Sequence, residues 1–394
     1  MSTTATQSPM DFSITEDQQQ LLDLAHDLCK TEIIPRREEM DEKELFPHEI
    51  FEKFTQGGMW GAMFDEEYGG LGDPFLTTLL IEVMSQYCLG VATAAGATKL
   101  GALPIEAGGT KEQKDKYLPK LASGEMIGAF GLSEPNAGSD VPNMSTVAVK
   151  KGDRYVLNGT KQWISNAGVA DVYTIFAMTD KNKGARGISC FIVEKDTPGL
   201  SFGAIERKMG IRCSHTAQVI MEDMEVPEEN LVGLKPNKGF IHAVHTLMAS
   251  RPFIATMAVG LAQGAYLEAA KYARDREQFG KKIINFQAIT HMLADMAVKI
   301  DAARLLAYRA AKYAIAKHPE TAKTSAIAKY YSSEIAIQVA NDAVQIHGGY
   351  GFTKDYPVEK MYRDAKILTI YEGTSQIQKN EIGAYIIKEA SKLK

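Results

Sequence analysis

Three short stretches of the chain carry side chains of the kinds that do chemistry. In Leu368-Thr369-Ile370-Tyr371-Glu372-Gly373-Thr374-Ser375-Gln376-Ile377-Gln378 a single carboxylate stands inside an apolar run. One reading makes Glu372 a solvent-facing residue at a helix start, with the hydroxyls that follow as caps. The other projects it from an inter-helix loop into an apolar cavity, where desolvation raises its pKa and makes it a usable general base near neutral pH. In Ile346-His347-Gly348-Gly349-Tyr350-Gly351-Phe352 three of four consecutive residues are glycine, at what reads as a helix end. A left-handed cap accounts for one of them, and close approach of backbone to a ligand such as a pyrophosphate accounts for the excess. The third region joins the loop Gly131-Leu132-Ser133-Glu134-Pro135-Asn136-Ala137-Gly138-Ser139-Asp140 to Trp163-Ile164-Ser165-Asn166-Ala167-Gly168. A plain surface loop is the simpler reading; stacking and backbone hydrogen bonding of a flat heterocycle is the functional one.

The elements that must position these residues follow from periodicity and turn chemistry. Thr15 and Gln18 form a capping box ahead of Leu21, Leu22, Ala25 and Leu28, which places a first helix there. Residues 10–125 read as helical, punctuated by glycine pairs. From residue 126 to 239 short apolar runs alternate with turn dipeptides, and Asn158-Gly159 between β-prone runs signals a hairpin. Further strands are expected over Val172 to Met178, Ile188 to Val193, Thr216 to Met221 and the segment ending Val226-Pro227. Over 240–394 long apolar stripes return. Ile289, Leu293, Met296, Ile300, Ala303 and Ala307 form one, Phe253, Met257 and Leu261 another, and Ile327, Tyr331, Ile335, Val339, Ala343 and Ile346 a third. A last helix from Ser375 to about Lys392 completes four. The expected architecture is α+β: an N-terminal helical domain, a middle β-barrel-like domain and a C-terminal four-helix bundle. There is no βαβ alternation, no G-x-G-x-x-G after a strand, and no P-loop or G-x-S-x-G motif.

Composition sets the outer limits. The chain has 394 residues, 45% hydrophobic and 24% charged, with 44 basic and 49 acidic side chains for a net charge of −5. That is a globular composition too long for a single core, with little electrostatic pull toward nucleic acid or an anionic membrane. Cys29, Cys88, Cys190 and Cys213 are scattered and make no metal-binding pattern, so free thiols and no metal are expected. Apolar stretches such as Ile254 to Ala262 fall short of the roughly 20 residues of a membrane span, so no membrane insertion is expected. Met1 to Pro9 shows no leader pattern, which leads to an expected cytoplasmic location.

The serine-rich loop 131–140, the Trp163-Ile164-Ser165 hairpin, Arg274-Asp275-Arg276-Glu277-Gln278-Phe279-Gly280, Gln345 to Gly349 and Tyr371 to Gln376 stand in the order and spacing of the acyl-CoA dehydrogenase family. The chain resembles that family along nearly its whole length, closest to its short- and medium-chain branch. The resemblance implies α,β-dehydrogenation of an acyl-CoA thioester with FAD. The carboxylate at Glu372 takes the α-proton, the β-hydrogen leaves as hydride to the flavin, and the electrons pass to an electron-transferring flavoprotein. It implies an oxyanion hole built from the Glu372 N–H and a ribityl hydroxyl. By the same resemblance Phe130, Leu132, Ser133, Trp163, Ile164 and Ser165 flank the isoalloxazine, and Thr374 and Gln376 lie toward the adenine-ribose end. Arg276, Gln278, Phe279, Gln287, Gln345, Gly348 and Gly349 bind pyrophosphate and adenosine, largely from a neighbouring subunit of a homotetramer, a dimer of dimers. Ser139, Met248, Arg251, Tyr371 and Gly373 fall on the substrate side.

Departures from the family pattern narrow the reading. Ser250 occupies the alternative base position of isovaleryl- and long-chain-type enzymes, which leaves Glu372 as the base. Met248 and Ala384 replace an acid and an arginine near the CoA arm of medium-chain enzymes, and Val91 replaces the arginine with which glutaryl-type enzymes meet a distal carboxylate. The helix Gly90 to Ala97 is small-sided at Ala92, Ala95 and Gly96, which either leaves room for a branched, cyclic or longer acyl group or permits tight helix packing. Lys99 on this helix is expected to snorkel to solvent. An acyl-CoA oxidase or a non-oxidative acyl-CoA lyase on the same scaffold is the alternative; oxidases carry an extra C-terminal region, and this chain stops soon after the fourth helix.

Overall fold

The computed structural model describes residues 11–393. Residues 1–10, which hold the expected leaderless tail and the first residue of the expected helical region, lie outside the described residues, as does Lys394. In chain order the helices are α1 (Glu16–Leu28), α2 (Arg37–Glu42), α3 (His48–Gln56), α4 (Pro74–Tyr87), α5 (Leu89–Gly108), α6 (Lys111–Ser123), α7 (Gly239–Asp275), α8 (Gln287–Ile315), α9 (Thr321–His347), α10 (Val358–Ala365) and α11 (Ser375–Ala390). The strands β1 (Gly128–Gly131), β2 (Val147–Lys151), β3 (Arg154–Ser165), β4 (Val172–Met178), β5 (Ile188–Glu194), β6 (Leu200–Phe202) and β7 (Thr216–Pro227) lie between α6 and α7, and a two-strand ribbon, β8 (Glu277–Gln278) and β9 (Lys281–Lys282), precedes α8. The chain divides into two compact units, one of Met1–Ile34, Phe75–Leu89 and Met248–Lys394, the other of Pro35–Pro74 and Gly90–Leu247.

The second unit is built on a seven-stranded sheet in the order β1-β4-β2-β3-β7-β6, with β5 also on β4. β1 runs parallel to β4, from Gly128 opposite Val172 to Gly131 opposite Ile175, whereas β2–β3, β3–β7 and β4–β5 are antiparallel. Every residue of β4 is buried, the continuous apolar pattern of a strand covered on both faces. The core of the sheet gathers Leu157, Tyr173, Ile175, Phe191, Val219 and Met224. The Asn158-Gly159 hairpin does not form: both residues lie inside β3, where the register against β7 shifts between Leu157 and Gly159. Asn158 bonds Asp223 through both ends of its amide, Nδ2 donating to Oδ1 at 3.1 Å and Oδ1 accepting from the Asp223 N–H at 2.8 Å. Cross-strand pairing therefore absorbs the turn-prone dipeptide as a bulge. The hairpin instead closes between Lys151 and Arg154.

In the first unit the helical expectations hold closely. Thr15 caps α1, its Oγ1 accepting from the Gln18 N–H at 3.2 Å while Gln18 Oε1 accepts from the Thr15 N–H at 3.0 Å. On α8 the buried positions include Leu293, Met296, Ile300, Ala303 and Ala307, and on α9 Ile335, Val339, Ala343 and Ile346. These stripes make α8 and α9 neighbours, α11 also packs on α9, and α7 reaches α11 through the Arg251–Glu381 pair. Among the described residues one helix, α7, is long and apolar enough by length and composition to cross a membrane, and 67% of its most apolar stretch is buried within the fold.

Candidate active site

Glu372 is half-buried on the loop between α10 and α11, with a left-handed backbone at φ 54°. A non-glycine residue there is uncommon, and such strain concentrates where the surroundings over-determine it. The determinants are visible. Ser250 on α7 donates its Oγ–H to Glu372 Oε2 at 2.7 Å. Gln378 Nε2 on α11 donates to the Glu372 carbonyl at 3.2 Å and to the Gly373 carbonyl at 3.1 Å. Lys329 Nζ on α9 donates to the Gly373 carbonyl at 2.6 Å. Thr374 caps α11 by accepting from the Ile377 N–H at 3.2 Å, and Ser375 Oγ donates to Glu334 at 2.7 Å. Burial pushes the Glu372 carboxyl above its ordinary range, against the opposing pull of Ser250, Arg251 and Lys329. Among the described residues neither the Glu372 N–H nor Oε1 enters a hydrogen bond. The arrangement can thus offer a carboxylate oxygen that takes a proton and, beside it, an N–H that donates to an oxyanion.

Three more residues expected on the substrate side belong to this unit. Tyr371 OH lies 3.8 Å from Met257 Sδ. Arg251, on α7, is buried and pairs with Glu381 of α11, with its Nε unpartnered among the described residues. Met248 is half-buried one turn earlier on α7.

A second site in this unit is a cavity of about 760 Å³ whose wall includes Tyr272, Arg276, Gln278, Phe279, Gly348, Gly349 and Tyr350. The Arg276 guanidinium stands 5.5 Å from the Tyr350 ring centre, and His347 stacks on Tyr272 at 4.3 Å. Phe279 is 92% exposed, again with a left-handed backbone at φ 52°. The glycine excess is smaller than the motif suggests. Gly348 caps α9 at φ 61° and ψ −136°, a backbone that favours glycine, and a Cβ on Gly351 would stand 2.5 Å from the Val344 carbonyl, so packing against its own helix requires it. Gly349 alone has no such local cause, and its face opens onto the cavity. Gln287 and Gln345 do not line the cavity, although their neighbours Ala288 and Ile346 do; Thr374 and Gln376 lie on the α11 side, next to Glu372 in sequence.

The second unit brings the remaining loops together. The Gln162 N–H donates to the Ser133 carbonyl at 2.9 Å, and Lys161 Nζ to the Leu132 carbonyl at 3.2 Å, which sets Leu132 and Ser133 beside Trp163, Ile164 and Ser165. Trp163 is 62% exposed with φ 63°, and presents a free aromatic plane. Ile164 is buried in the sheet core, so what it offers is backbone. Phe130 on β1 packs on Phe176 with ring centres 5.1 Å apart, and Ser139 is exposed. The staple holding these loops is the fully buried pair Lys161–Glu134, 2.7 Å apart. Burial alone would raise the Glu134 carboxyl, but Lys161 and hydrogen bonds from Thr146 and Ser145 outweigh it and hold the group at about 2. Asn166 anchors the same turn by donating to the Ala94 and Gly128 carbonyls at 2.9 and 3.1 Å.

One expectation for α5 is corrected. Lys99 does not snorkel: it is 9% exposed, paired at 2.5 Å with Glu106, two turns along the same helix, and lies 4.5 Å over the Phe64 ring. A carboxylate and an aromatic face within reach replace solvent for its charge. At Gly90, ahead of the small positions Ala92, Ala95 and Gly96, a Cβ would stand 2.5 Å from Cys213 Sγ, so the helix start packs closely there. The sequence reading also passed over Lys329, Gln378, Asn166 and the Glu134–Lys161 pair; the one available signal was a lone lysine, Lys329, within a run of small residues.

The chain thus combines a helical unit that carries a carboxylate loop with a mixed sheet whose paired loops expose an indole plane. The chain belongs to the acyl-CoA dehydrogenase family: the family's N-terminal, middle and C-terminal domain descriptions match residues 15–125, 129–224 and 237–387. It is 48% identical to the short-chain-specific acyl-CoA dehydrogenase of Clostridium acetobutylicum, over 96% of this chain and 100% of that one. It is 43% identical to the caffeyl-CoA reductase–Etf complex subunit CarC of Acetobacterium woodii, over 95% of this chain and 99% of that one. The structure of butyryl-CoA dehydrogenase from Megasphaera elsdenii superimposes with a TM-score of 0.93 at 43% identity, over 96% of this chain and 100% of that one. The protein is therefore an enzyme of a flavoprotein oxidoreductase family.

Proposed function

We propose that the protein desaturates a short-chain acyl-CoA between the α and β carbons, with Glu372 as base and FAD as electron acceptor, and passes the electrons to an electron-transferring flavoprotein. The observation that carries this reading is Glu372 itself, a partly buried carboxylate raised above its ordinary range and held on a left-handed turn by α7, α9 and α11. Ser250 holds Oε2, so Oε1 is the oxygen that receives the α-proton. The Glu372 N–H donates to the thioester oxygen as negative charge develops there; removing one such donor typically costs about 3–4 kcal/mol in barrier. Tyr371, Gly373, Arg251, Met248 and Ser139 line the substrate side.

The residues present fit FAD. The cavity beside Arg276 combines a guanidinium, the open face of Gly349 and exposed aromatic rings, the donors and surfaces a dinucleotide takes up. Arg276, Gln278, Phe279, Gln287, Gln345, Gly348 and Gly349 hold its phosphates and adenosine. Phe130, Leu132, Ser133, Trp163, Ile164 and Ser165 hold its ring system, with Thr374 and Gln376 nearby. When bound, FAD supplies the two-electron acceptor for the β-hydride. A homotetramer of cytoplasmic subunits, each with domains over 10–125, 126–239 and 240–394, belongs to the same reading.

The Etf partnership is supported by the Acetobacterium relative, whose name places it in an Etf complex. That relative is named a reductase, which favours a second reading in which the same residues run the reaction toward the saturated acyl-CoA. Glu372 then gives its proton to the α-carbon.

Anaerobic flavin bleaching against straight, branched, cyclic and dicarboxylic acyl-CoAs tests the proposal. Bleaching by short straight chains is expected, and no bleaching by any of them refutes it. Reoxidation of the reduced enzyme by the matching enoyl-CoA reports the reverse direction. Oxygen uptake without added acceptor would instead indicate an oxidase.

A further inference from the structure

Behind the proposed base stands a buried lysine that the reaction above does not use. Lys329 is 0% exposed on α9, among the buried small residues Ser325, Ala326, Ala328, Ser332 and Ser333. Its Nζ donates to the Gly373 carbonyl at 2.6 Å, a carbonyl that Gln378 already serves at 3.1 Å. A second neutral donor would satisfy that oxygen without the desolvation that burying an ammonium entails. What lysine adds is charge. The other charged groups near it are already engaged: Arg251 of α7 pairs with Glu381 of α11, and Glu334 of α9 accepts from Ser375. Among the described residues Lys329 makes no ion pair, so its field falls on the Glu372 loop.

We propose that Lys329 is a positioning residue: it clamps the Gly373 carbonyl and sets an unpaired ammonium behind Glu372, which fixes the turn carrying the base and keeps its carboxylate ionised and ready to accept a proton. The inference rests on Glu372 being the base. Burial pushes the Lys329 ammonium down to about 8, with Glu372 and Glu334 opposing and Arg251 assisting, so it stays protonated at neutral pH. Glu372 in turn faces Ser250 and Arg251 from α7 and Lys329 from α9.

The test compares Lys329→Met, Lys329→Gln and Lys329→Arg with wild type as purified holoenzymes, scoring flavin content and the pH dependence of the anaerobic bleaching rate with butyryl-CoA. Lys329→Met is expected to bleach at least about tenfold more slowly at pH 7, with its acid limb moved up by about one pH unit. Lys329→Arg, which keeps charge and donors, restores the limb. If Lys329→Met gives no folded flavoprotein, Lys329→Gln decides: a raised limb at full flavin content supports the proposal. A wild-type limb at full flavin content in Lys329→Met or Lys329→Gln overturns it. Glu372→Gln in parallel separates the two readings, since bleaching in that variant removes the base assignment itself, whereas an inactive Glu372→Gln beside unaffected lysine variants removes only the role of Lys329.

Discussion

Ser250 Oγ donates to Glu372 Oε2 at 2.7 Å. Here it orients the carboxylate proposed as the base. A hydrogen bond to the ionised form favours it, so this contact opposes the burial that raises the carboxyl.

The sign of the pH dependence follows. Glu372 accepts a proton only when ionised, so the bleaching rate falls as pH drops through a pKa that lies above the ordinary carboxylate range. Ser250→Ala removes one stabilising partner of the ionised form and is predicted to move the acid limb up by about one pH unit. Stopped-flow bleaching between pH 5 and 9 checks it; an unmoved limb would show that the contact does not act on the base.

Gly349 and Gly351 are predicted to fail differently. Gly349→Val places its side chain in open space at the cavity wall and should leave the fold intact while weakening FAD binding by about tenfold, or roughly 1.4 kcal/mol. Gly351→Ala drives a methyl against the Val344 carbonyl and should lower stability by about 1–3 kcal/mol. The flavin-to-protein absorbance ratio and urea midpoints separate the two effects.

Glu134 and Lys161 supply the third prediction. Glu134→Gln leaves the Lys161 ammonium buried without its carboxylate and should cost about 3–5 kcal/mol. In wild type the Glu134 carboxyl is held at about 2 against an ordinary 4.5. The stability it contributes is therefore complete above about pH 4.5 and is lost as pH falls toward 2. Urea unfolding of both proteins at pH 7 and pH 4 measures this, and equal midpoints at pH 7 would contradict it.

Those three predictions rest on contacts the sequence shows to very different degrees. Local signals were legible. The Thr15–Gln18 capping box, the α8 stripe and the β-branched and aromatic run of β4 are each fixed by residues a few positions apart. Trp163, Phe279 and Glu372, each within a motif singled out from the sequence, all have left-handed backbones. What stayed hidden depends on distant partners. Asn158-Gly159 is a turn by local chemistry, but pairing with Asp223 makes it a bulge. Lys99 looks solvent-bound until Phe64 is placed beneath it. Lys329 acquires its role only because the loop at Gly373, 44 positions further along the chain, returns to α9.

The central claim is that Glu372 takes the α-proton. Glu372→Gln keeps a side chain of the same size that can still bond Ser250 but cannot serve as a base. Anaerobic titration of this variant with butyryl-CoA should leave the yellow flavin spectrum intact while wild type bleaches. Bleaching of Glu372→Gln at the wild-type rate would contradict the account.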